Sequence, residues 1–486
     1  MKKITSLLIF CFLFPLANTK IDESKLFNRA TKIRARYGND LCNAEQEIKE
    51  IRMQKAYETL QTFLDQSFDA QQTPNIGIVC SGGGYRAAVA TLSMLQGLEE
   101  IGLLDAASYI SSLSGSTWSL ASWVYQEASL GWLEKFLRKQ MQQSFYPHNL
   151  EINDIANTVF AKITSGRIAG LNDIYGGILA NIFLKTKKDP GGQNCYLSNL
   201  VPKISEGQYP FPIFTAIISN ESDPYPWMEF TPLEVGSTYL ETWIPTWACG
   251  KQFKEGVSTD TRYEETFGFM LGMWGSAYAA SVYDAVNVIT NGITAKYNIN
   301  LPTELFSWIN GFWFANTRIA FPKIYNFSYK VEHSPLRKDK YLILPDAGCD
   351  MNLPFIPLFR RDVDVYIVCD ASGGLAGKTT PMQQIKAFAD NHYIQFPSFD
   401  AAKLQKKTFD IIIDKENSFA PIIIYVKNTF EISTFDLDYT EKEFNEILAN
   451  VKKSIINNVD SIKTALTQAI QIKAEGYRKK IVTPKK

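Results

Sequence analysis

The chain has 486 residues, of which 45% are apolar and 13% aromatic, so it can bury a large hydrophobic core and is not an intrinsically disordered protein. Its 50 basic and 50 acidic residues give a formal net charge of zero. No overall field would therefore draw it to nucleic acid or to acidic partners, and any attraction to a membrane must be local.

The N-terminus has the pattern of a secretory signal. Two lysines precede a mostly apolar run over residues 4–17, and small residues follow at plausible cleavage positions. The run is too short to span a membrane, and no other stretch is long and apolar enough to do so. We therefore predict a signal peptide over residues 1–19 and a mature chain without a transmembrane span. That chain would be secreted or kept in the lumen of an endomembrane or digestive compartment, unless the segment is an uncleaved anchor or a buried N-terminal segment.

Export would give the cysteines and asparagines of the chain particular roles. Cys11 would leave with the signal, so six of the seven cysteines would remain where disulfides can persist, with a pairing that the sequence does not define. The sequons at Asn220 and Asn326 would be usable glycosylation sites. No C-x-x-C or His-rich spacing occurs, so no structural metal site is predicted.

A helix and a short strand lead into the first chemically informative segment. Apolar residues recur at roughly helical spacing over residues 44–67, and the apolar run over residues 76–79 predicts a strand. That strand stops at Ser-Gly-Gly-Gly-Tyr-Arg-Ala, residues 81–87. Because glycines can adopt positive φ and turn their amides toward a ligand, we interpret this segment as an oxyanion loop.

A second junction of strand and helix carries a serine. Ser114 follows a short apolar strand that contains Tyr109 and Ile110, and it lies within Leu-Ser-Gly-Ser-Thr-Trp, residues 113–118. A sharp strand-to-helix elbow needs such small neighbours if the serine hydroxyl is to project. Ser114 is therefore the candidate nucleophile, and the alternative is that it is only a small residue at a turn.

A third junction supplies a carboxylate. Asp346 follows a strand predicted over residues 341–344 and is itself followed by an alanine and a glycine. A serine hydroxyl is a poor nucleophile without a base within hydrogen-bond reach, which makes Asp346 the candidate base rather than only a turn former. The histidines do not lie at recognisable strand ends, so a Ser-Asp dyad is favoured over a Ser-His-Asp triad; they are His148, His333 and His392.

Strand and helix patterns alternate along the chain. Further strands are predicted over residues 213–218, 363–369, 411–413 and 422–426, and a capping box formed by Thr440 and Glu443 predicts a C-terminal helix. This alternation indicates an α/β domain with a mostly buried sheet. Cap insertions are predicted over residues 127–198 and 294–321. The aromatic residues of the second insertion are interpreted as buried core, with an acyl-binding lid or membrane anchor as the alternative.

The glycine segment also matches a dinucleotide-binding pattern. Residues 82–87 satisfy G-x-G-x-x-A between a strand and a helix. A dinucleotide site further needs an acidic residue at the end of the second strand, where this chain has Ser111 and Ser112. Nucleotide binding is therefore the weaker interpretation.

The three junctions, in this order, resemble the catalytic domain of the cytosolic (group IV) phospholipase A2 and fungal lysophospholipase or phospholipase B family. The resemblance covers roughly residues 40–460. It continues through Tyr-Pro-Phe-Pro-Ile-Phe-Thr-Ala at 209–216, Trp-Met-Glu-Phe-Thr-Pro-Leu-Glu-Val-Gly at 227–236, Leu-Gly-Met-Trp-Gly-Ser-Ala at 271–277, Asn-Leu-Pro at 352–354 and Arg-Asp-Val-Asp at 361–364.

The resemblance implies a three-layer α/β/α fold with a mixed central sheet, as in patatin and cytosolic phospholipase A2. A helical segment over residues 20–70 would precede a catalytic domain over residues 71–486. The chain departs from the family pattern at Ser112, where a glycine is usual. Too few residues precede the glycine loop for a calcium-binding C2 domain, so calcium-dependent membrane docking is not predicted.

The family also implies roles for individual residues. Ser114 would attack the ester carbonyl and Asp346 would take its proton, while the amides of Gly83 and Gly84 would form the oxyanion hole. Arg86 would hold the substrate phosphate or the developing negative charge, a task that suits a permanently charged fork of donors. No cofactor and no metal ion is expected.

Three functions follow as hypotheses. The first is a serine esterase that acts on glycerophospholipids or lysophospholipids at a membrane or micelle surface. The second is an acyl hydrolase or acyltransferase for esters that are not phospholipids, and the third is a catalytically silent lipid-binding protein. The sequence does not define the oligomeric state.

Overall fold

The computed structural model describes residues 32–142, 150–220, 224–276, 322–373 and 379–476, apart from Ser418, Glu431, Phe435 and Leu437. The predicted signal peptide and the predicted insertion over residues 294–321 lie outside the described residues. The predicted insertion over residues 127–198 lies inside them, except for residues 143–149.

The described strands form one large sheet and two small ones. Their bounds are β1 (Arg36–Tyr37), β2 (Ile76–Cys80), β3 (Ala107–Ser112), β4 (Phe211–Ile217), β5 (Trp227–Phe230), β6 (Glu234–Ser237), β7 (Thr242–Pro245), β8 (Phe253–Lys254), β9 (Val257–Ser258), β10 (Lys323–Tyr325), β11 (Tyr341–Ile343), β12 (Val365–Asp370), β13 (Phe409–Ile412) and β14 (Ile422–Lys427). The large sheet has the order β1-β7-β6-β5-β4-β3-β2-β12-β14-β13, and β8 pairs with β9 and β10 with β11.

The centre of the large sheet is parallel and its edges are antiparallel. Strands β4, β3, β2, β12 and β14 run parallel to one another, whereas β5, β6, β7 and β1 extend one side and β13 the other in antiparallel fashion. Every residue of β2, β3 and β4 is buried. This is the pattern expected for strands covered on both faces, whose sequences are near-continuous apolar runs.

Helices cover the sheet. Their bounds are α1 (Asn43–Leu64), α2 (Gly84–Glu100), α3 (Gly115–Gln126), α4 (Leu130–Met141), α5 (Ile152–Thr164), α6 (Leu171–Phe183), α7 (Val201–Ile204), α8 (Phe267–Trp274), α9 (Ile356–Phe359), α10 (Pro381–Asn391), α11 (Ala401–Leu404), α12 (Glu441–Ile456) and α13 (Val459–Ala474). No helix among the described residues is both long enough and apolar enough to cross a membrane.

One row of neighbouring residues shows how the first face is covered. Tyr366, Gly77 and Tyr109 are in register on β12, β2 and β3, so they share a face of the sheet. The ring of Phe355 lies 4.9 Å from that of Tyr366, and the guanidinium carbon of Arg361 lies 5.5 Å from the centre of the Tyr109 ring. The segment around α9 therefore packs on this face.

Connections between parallel strands determine which helices cover which face. Helices α2 and α3 follow β2 and β3 and advance the sheet toward β4, whereas α10 follows β12 and advances it toward β14 in the opposite direction. Because such crossovers are right-handed, α2 and α3 lie on the face opposite to α10. The predicted three-layer α/β/α fold with a mixed central sheet is confirmed.

A buried cluster of charges joins α1 to β5, an interior strand on the antiparallel side of the large sheet. The Arg361 side chain is fully buried, donates to Glu45 of α1 over 2.7 Å and 3.2 Å, and donates to Glu229 of β5 over 2.7 Å. Arg360 donates to Glu229 over 2.9–3.2 Å. Burial alone raises the pKa of Glu229, but the two guanidinium groups outweigh it and hold that pKa below its ordinary value.

Most predicted elements are present with bounds shifted by one or two residues. The Thr440–Glu443 capping box is confirmed, because Thr440 Oγ1 accepts from the Glu443 amide over 3.2 Å and Glu443 Oε2 accepts from the Thr440 amide over 2.8 Å. The antiparallel strands β5, β6 and β7 were not predicted. Their short runs are interrupted by Glu229 and Glu234, the first of which is buried only because arginines neutralise it.

Two expectations tied to export do not fit the structure. The six described cysteines are free thiols: Cys42, Cys80, Cys195, Cys249, Cys349 and Cys369. Asn326 is 1% exposed, and its Nδ2 donates to the carbonyl oxygens of Leu336 and Asp339 over 2.8 Å and 2.7 Å. A sugar on this nitrogen would have to displace both bonds, so the prediction of glycosylation at Asn326 is wrong.

Candidate active site

The glycine loop lies at the carboxyl end of β2, in the middle of the sheet. Gly83 and Gly84 have φ values of 138° and 59°, which favour glycine, and α2 begins at Gly84. No group in the described part of the chain accepts a hydrogen bond from the amides of Gly83 or Gly84. Two amides at the N-terminus of a 17-residue helix are suited to bind an anion.

Ser114 forms a sharp elbow between β3 and α3. Its φ of 50° and ψ of −131° are strained for a residue with a β-carbon, and such strain recurs where a nucleophile must project from a strand-to-helix turn. A β-carbon placed on Gly82 would lie 3.0 Å from the β-carbon of Ser114, and one placed on Gly115 would lie 1.9 Å from the Gly84 oxygen. The elbow therefore packs directly on the glycine loop, and glycine is required at both contacts.

Asp346 is fully buried beside the same edge of the sheet. It forms a β-bridge with Ala216 of β4, its amide donates to Ser276 Oγ over 3.0 Å, and its Oδ1 accepts from the Gly348 amide over 2.8 Å. Phe214 of β4 is in register with Ser112 of β3. Ala216 and Ser114 each lie two residues beyond that pair, so the Asp346 and Ser114 segments meet at the carboxyl edge of neighbouring parallel strands.

Leu113 provides a contact that joins all three segments. Its Cδ1 lies 2.5 Å from the place of a β-carbon on Gly82 and 3.6 Å from the place of a β-carbon on Gly348. The structure thus brings together the glycine loop, the serine elbow and the turn that carries Asp346, which are far apart in the sequence.

Arg86 is held by the chain itself. The side chain is 2% exposed; its Nε donates to the Ala371 oxygen over 2.8 Å, its Nη2 to Thr434 Oγ1 over 2.8 Å, and its Nη1 to the Ile432 oxygen. A β-carbon on Gly83 would lie 2.8 Å from Nη2. The guanidinium charge is therefore fixed against the glycine loop, and these bonds give Arg86 a structural role that the sequence did not indicate.

Asn352 is a site residue for which the sequence predicted no role. Its side-chain Nδ2 donates to the Gly82 oxygen over 3.2 Å and to Ser372 Oγ over 2.7 Å. Its backbone carbonyl oxygen accepts from the Gly82 amide over 3.3 Å. In the sequence, the Asn-Leu-Pro motif at 352–354 indicates only the family resemblance. Only the fold places this side chain beside a loop 270 residues earlier in the chain.

The described histidines lie elsewhere and have other contacts. His333 Nε2 is 3.3 Å from the Glu241 oxygen, and its ring packs edge-on against Tyr37 near β1 and β7. His392 Nδ1 is 2.8 Å from the Phe388 oxygen at the end of α10. His148 lies outside the described residues.

Cys80, which directly precedes the glycine loop, is a poor nucleophile at neutral pH. Burial raises its pKa to about 12, so its thiolate form is scarce. No cluster of three or more His, Cys, Asp or Glu side chains in the described part of the chain could hold a metal ion.

The chain is similar to proteins of known family. A model of the lysophospholipase catalytic domain matches residues 76–378. Cytosolic phospholipase A2 zeta from Mus musculus is 25% identical over 545 residues, and the Homo sapiens protein of the same name is 30% identical over 547 residues. Each match covers 90% of this chain but only 62% of the relative.

A solved structure shares the fold. Human GIVD cytosolic phospholipase A2 superimposes with a TM-score of 0.75 at 20% sequence identity, over 90% of this chain and 69% of the other. It has the same α/β arrangement around a mixed sheet.

These similarities overturn the predicted location. The relatives are cytosolic phospholipases by name, which points to the cytosol, so the prediction of a secreted or lumenal protein is wrong. The free cysteines and the buried Asn326 agree with this correction. The signal peptide predicted over residues 1–19 lies outside the described residues and stays a prediction.

Proposed function

Because the chain belongs to the family of lysophospholipase catalytic domains, we propose that it is a serine acyl hydrolase that cleaves fatty-acyl esters of glycerophospholipids, lysophospholipids or both. One observation carries the proposal: the strained Ser114 elbow packs on a glycine loop and meets the segment of a buried carboxylate at one edge of the sheet. The names of the relatives support the phospholipid class of substrate.

The proposed reaction begins with Ser114. Its Oγ attacks the ester carbonyl carbon while Asp346 takes the hydroxyl proton, and the carbonyl oxygen becomes an oxyanion bound by the amides of Gly83 and Gly84. The tetrahedral intermediate collapses, the bond to the glycerol oxygen breaks, and Asp346 returns the proton to that oxygen. Water then attacks the acyl-enzyme while Asp346 takes its proton; the bond between the acyl carbon and Ser114 Oγ breaks, Asp346 returns the proton to Oγ, and the fatty acid is released.

A dyad without histidine agrees with the surroundings of Asp346, whose buried carboxylate lies on a segment that meets the Ser114 elbow at one edge of the sheet. The two described histidines are committed to contacts at other parts of the sheet.

Two alternative functions remain. An acyl hydrolase or acyltransferase for esters without phosphate would use Ser114 and Asp346 in the same way. A catalytically silent lipid-binding protein would not use either residue. The fixed, strained geometry of Ser114 favours the catalytic alternatives, because strain in the backbone is seldom retained without a function.

The test is fatty-acid release from mixed phospholipid and lysophospholipid vesicles, in chelator and in calcium. We expect release by the parent in chelator and its loss, by at least about 10³-fold, in Ser114→Ala and Asp346→Ala. The matched control is Ser122→Ala, a buried serine of α3 whose hydroxyl donates to the Phe183 oxygen over 3.1 Å. A fluorophosphonate should label the parent and the control but not Ser114→Ala. Vesicle binding by the parent without release or labelling would contradict the proposal.

A further inference from the structure

We propose that Asn352 is a positioning residue that sets the direction of the Gly83 N–H, one of the two oxyanion donors. The inference rests on the proposed acyl hydrolase function. Asn352 makes two hydrogen bonds to Gly82. Its backbone carbonyl oxygen accepts from the Gly82 amide over 3.3 Å, and its side-chain Nδ2 donates to the Gly82 oxygen over 3.2 Å.

The planarity of the peptide group couples the Gly82 oxygen to the Gly83 N–H. The carbonyl oxygen of Gly82 and the N–H of Gly83 belong to one trans peptide and point in opposite directions. A hydrogen bond that holds the Gly82 oxygen therefore also aims the Gly83 N–H. Between two glycines this peptide has unusual freedom to rotate, and Gly83 has a φ of 138°. Ser81 Oγ, from the same loop, also donates to the Gly82 oxygen over 3.2 Å, so Asn352 is the donor that fixes this peptide from outside the loop.

The carboxamide of Asn352 is itself held in place. Its Nδ2 also donates to Ser372 Oγ over 2.7 Å, and the Ser372 amide donates to Asp370 Oδ1 over 2.9 Å. Asp370 Oδ2 accepts from the Tyr425 hydroxyl over 2.6 Å. This chain of bonds connects the glycine loop to the ends of β12 and β14, and donation to the Gly82 oxygen also polarises the peptide so that the Gly83 N–H becomes a better donor.

Asn352 also belongs to the turn that carries the base. The Cys349 amide donates to the Asp346 oxygen over 3.0 Å, and the Met351 amide donates to the Ala347 oxygen over 3.2 Å. The turn from Asp346 to Asn352 is therefore a short, closed unit. Through Asn352 this unit fixes the oxyanion loop relative to the base.

The test compares Asn352→Ala and Asn352→Asp with the parent. Asp has nearly the shape of Asn but places an acceptor where Nδ2 donated, so both variants lose the bond. We expect kcat to fall about 10- to 100-fold while KM changes less than about threefold, because the loss of an oxyanion donor acts on the transition state. The matched control is Asn172→Ala, a buried asparagine of α6 whose Nδ2 donates to the Phe269 oxygen over 3.0 Å; its kcat per folded molecule should match the parent.

A second readout separates positioning from a structural role. A trifluoromethyl ketone that carries the substrate acyl chain forms an oxyanion when Ser114 adds to it, whereas an ether lipid of the same chain has no carbonyl. In the Asn352 variants the inhibition constant of the ketone should rise by the factor by which kcat falls, and ether-lipid binding should be unchanged. Unchanged kcat, or equal weakening of both ligands, would overturn the inference.

Two controls keep the test decisive. If Asn352→Ala does not fold, Asn352→Asp and Ser372→Ala replace it. Ser372→Ala removes only the bond that orients the Asn352 carboxamide, so kcat should fall a few-fold while the melting temperature is unchanged.

A parent that cleaves no ester and does not bind the ketone would refute the proposed function itself. An active parent with unaffected Asn352 variants would refute only the role of Asn352.

Discussion

Ser114 combines a polar side chain with a backbone conformation that ordinary residues avoid. The residue lies at the junction of a fully buried strand and a helix, and its φ is 50°. The close contacts of Gly82 and Gly115 restrict the backbone at this junction. Strain of this kind costs of order 1–3 kcal/mol and persists only when the surrounding packing determines it. The elbow is thus held by the fold, not by its own local preference.

The candidate residues Ser114, Asp346, Gly83 and Gly84 could be selected from the sequence because each follows an apolar strand and is flanked by small residues. Asn352 and the chain-bound state of Arg86 could not. Their roles depend on contacts with Gly82, Ala371 and Thr434, which lie far away in the chain. Local pattern finds residues at strand ends, but it does not reveal which side chains the fold brings to them.

The role of Arg86 can be tested by substrate preference. If its charge holds a substrate phosphate, Arg86→Gln should lower kcat/KM on phosphate-bearing esters at least about tenfold more than on neutral esters of the same acyl chain. The measurement is a pairwise comparison of the two substrates. Equal losses on both would mean that Arg86 acts only by tying the glycine loop to Ala371 and Thr434.

Among the secondary-structure elements, the C-terminal helix α12 was the easiest to predict and the antiparallel edge was the hardest. The Thr440–Glu443 box is a local signal that satisfies amides without any tertiary contact. Strand β5 instead contains Glu229, a charged residue that sequence alone predicts to be exposed to solvent. It is buried because Arg360 and Arg361, in the segment after α9, supply compensating charges.

The buried charge cluster of Glu45, Glu229, Arg360 and Arg361 predicts a large effect of one substitution on stability. Arg361→Met should lower the free energy of unfolding by about 3–5 kcal/mol, because it leaves the carboxylates of Glu45 and Glu229 buried with less compensation. Urea unfolding measures the change.

The control for this prediction is Lys386→Met, which removes a partly exposed pair with Asp390 in α10. Such a pair contributes about 0.5 kcal/mol. A loss for Arg361→Met as small as that of the control would show that the buried cluster does not hold α1 to the sheet.

For the whole molecule, the N-terminal pattern led to the wrong compartment. A short apolar run behind two lysines and a usable sequon are local properties that the sequence displays equally whether or not the chain is exported. Burial of Asn326 and the free thiols are properties of the folded chain. The α/β class, in contrast, follows from the alternation of elements along the entire sequence, which is why it could be predicted.

A buried acid makes the stability of the whole fold depend on pH. Glu264 is 4% exposed, and burial raises its pKa to about 7 although the Ser198 amide and hydroxyl both donate to it. Between its ordinary value of 4.5 and about 7 the folded chain binds this proton more tightly than the unfolded chain. This group therefore makes stability fall as pH rises through that window and has no further effect above it.

Glu264→Gln should remove this dependence, because the amide stays neutral and can still bind Ser198. The difference in unfolding free energy between variant and parent should grow with pH from 5 to 7, by at most about 1.4 kcal/mol per pH unit, and then level off. Urea titrations at pH 5, 6, 7 and 8 measure it. A constant difference across this range would contradict a raised pKa for Glu264.

The position of β12 between β2 and β14 has a consequence for synthesis. Val365 pairs with Ile76, so one edge of β2 stays open on the ribosome until almost 300 more residues have been made. An apolar strand with an open edge invites aggregation, which predicts that the nascent chain needs a chaperone. Asp346 and Asn352 also belong to this late part of the chain, so under the proposed function a partly made chain would lack its base.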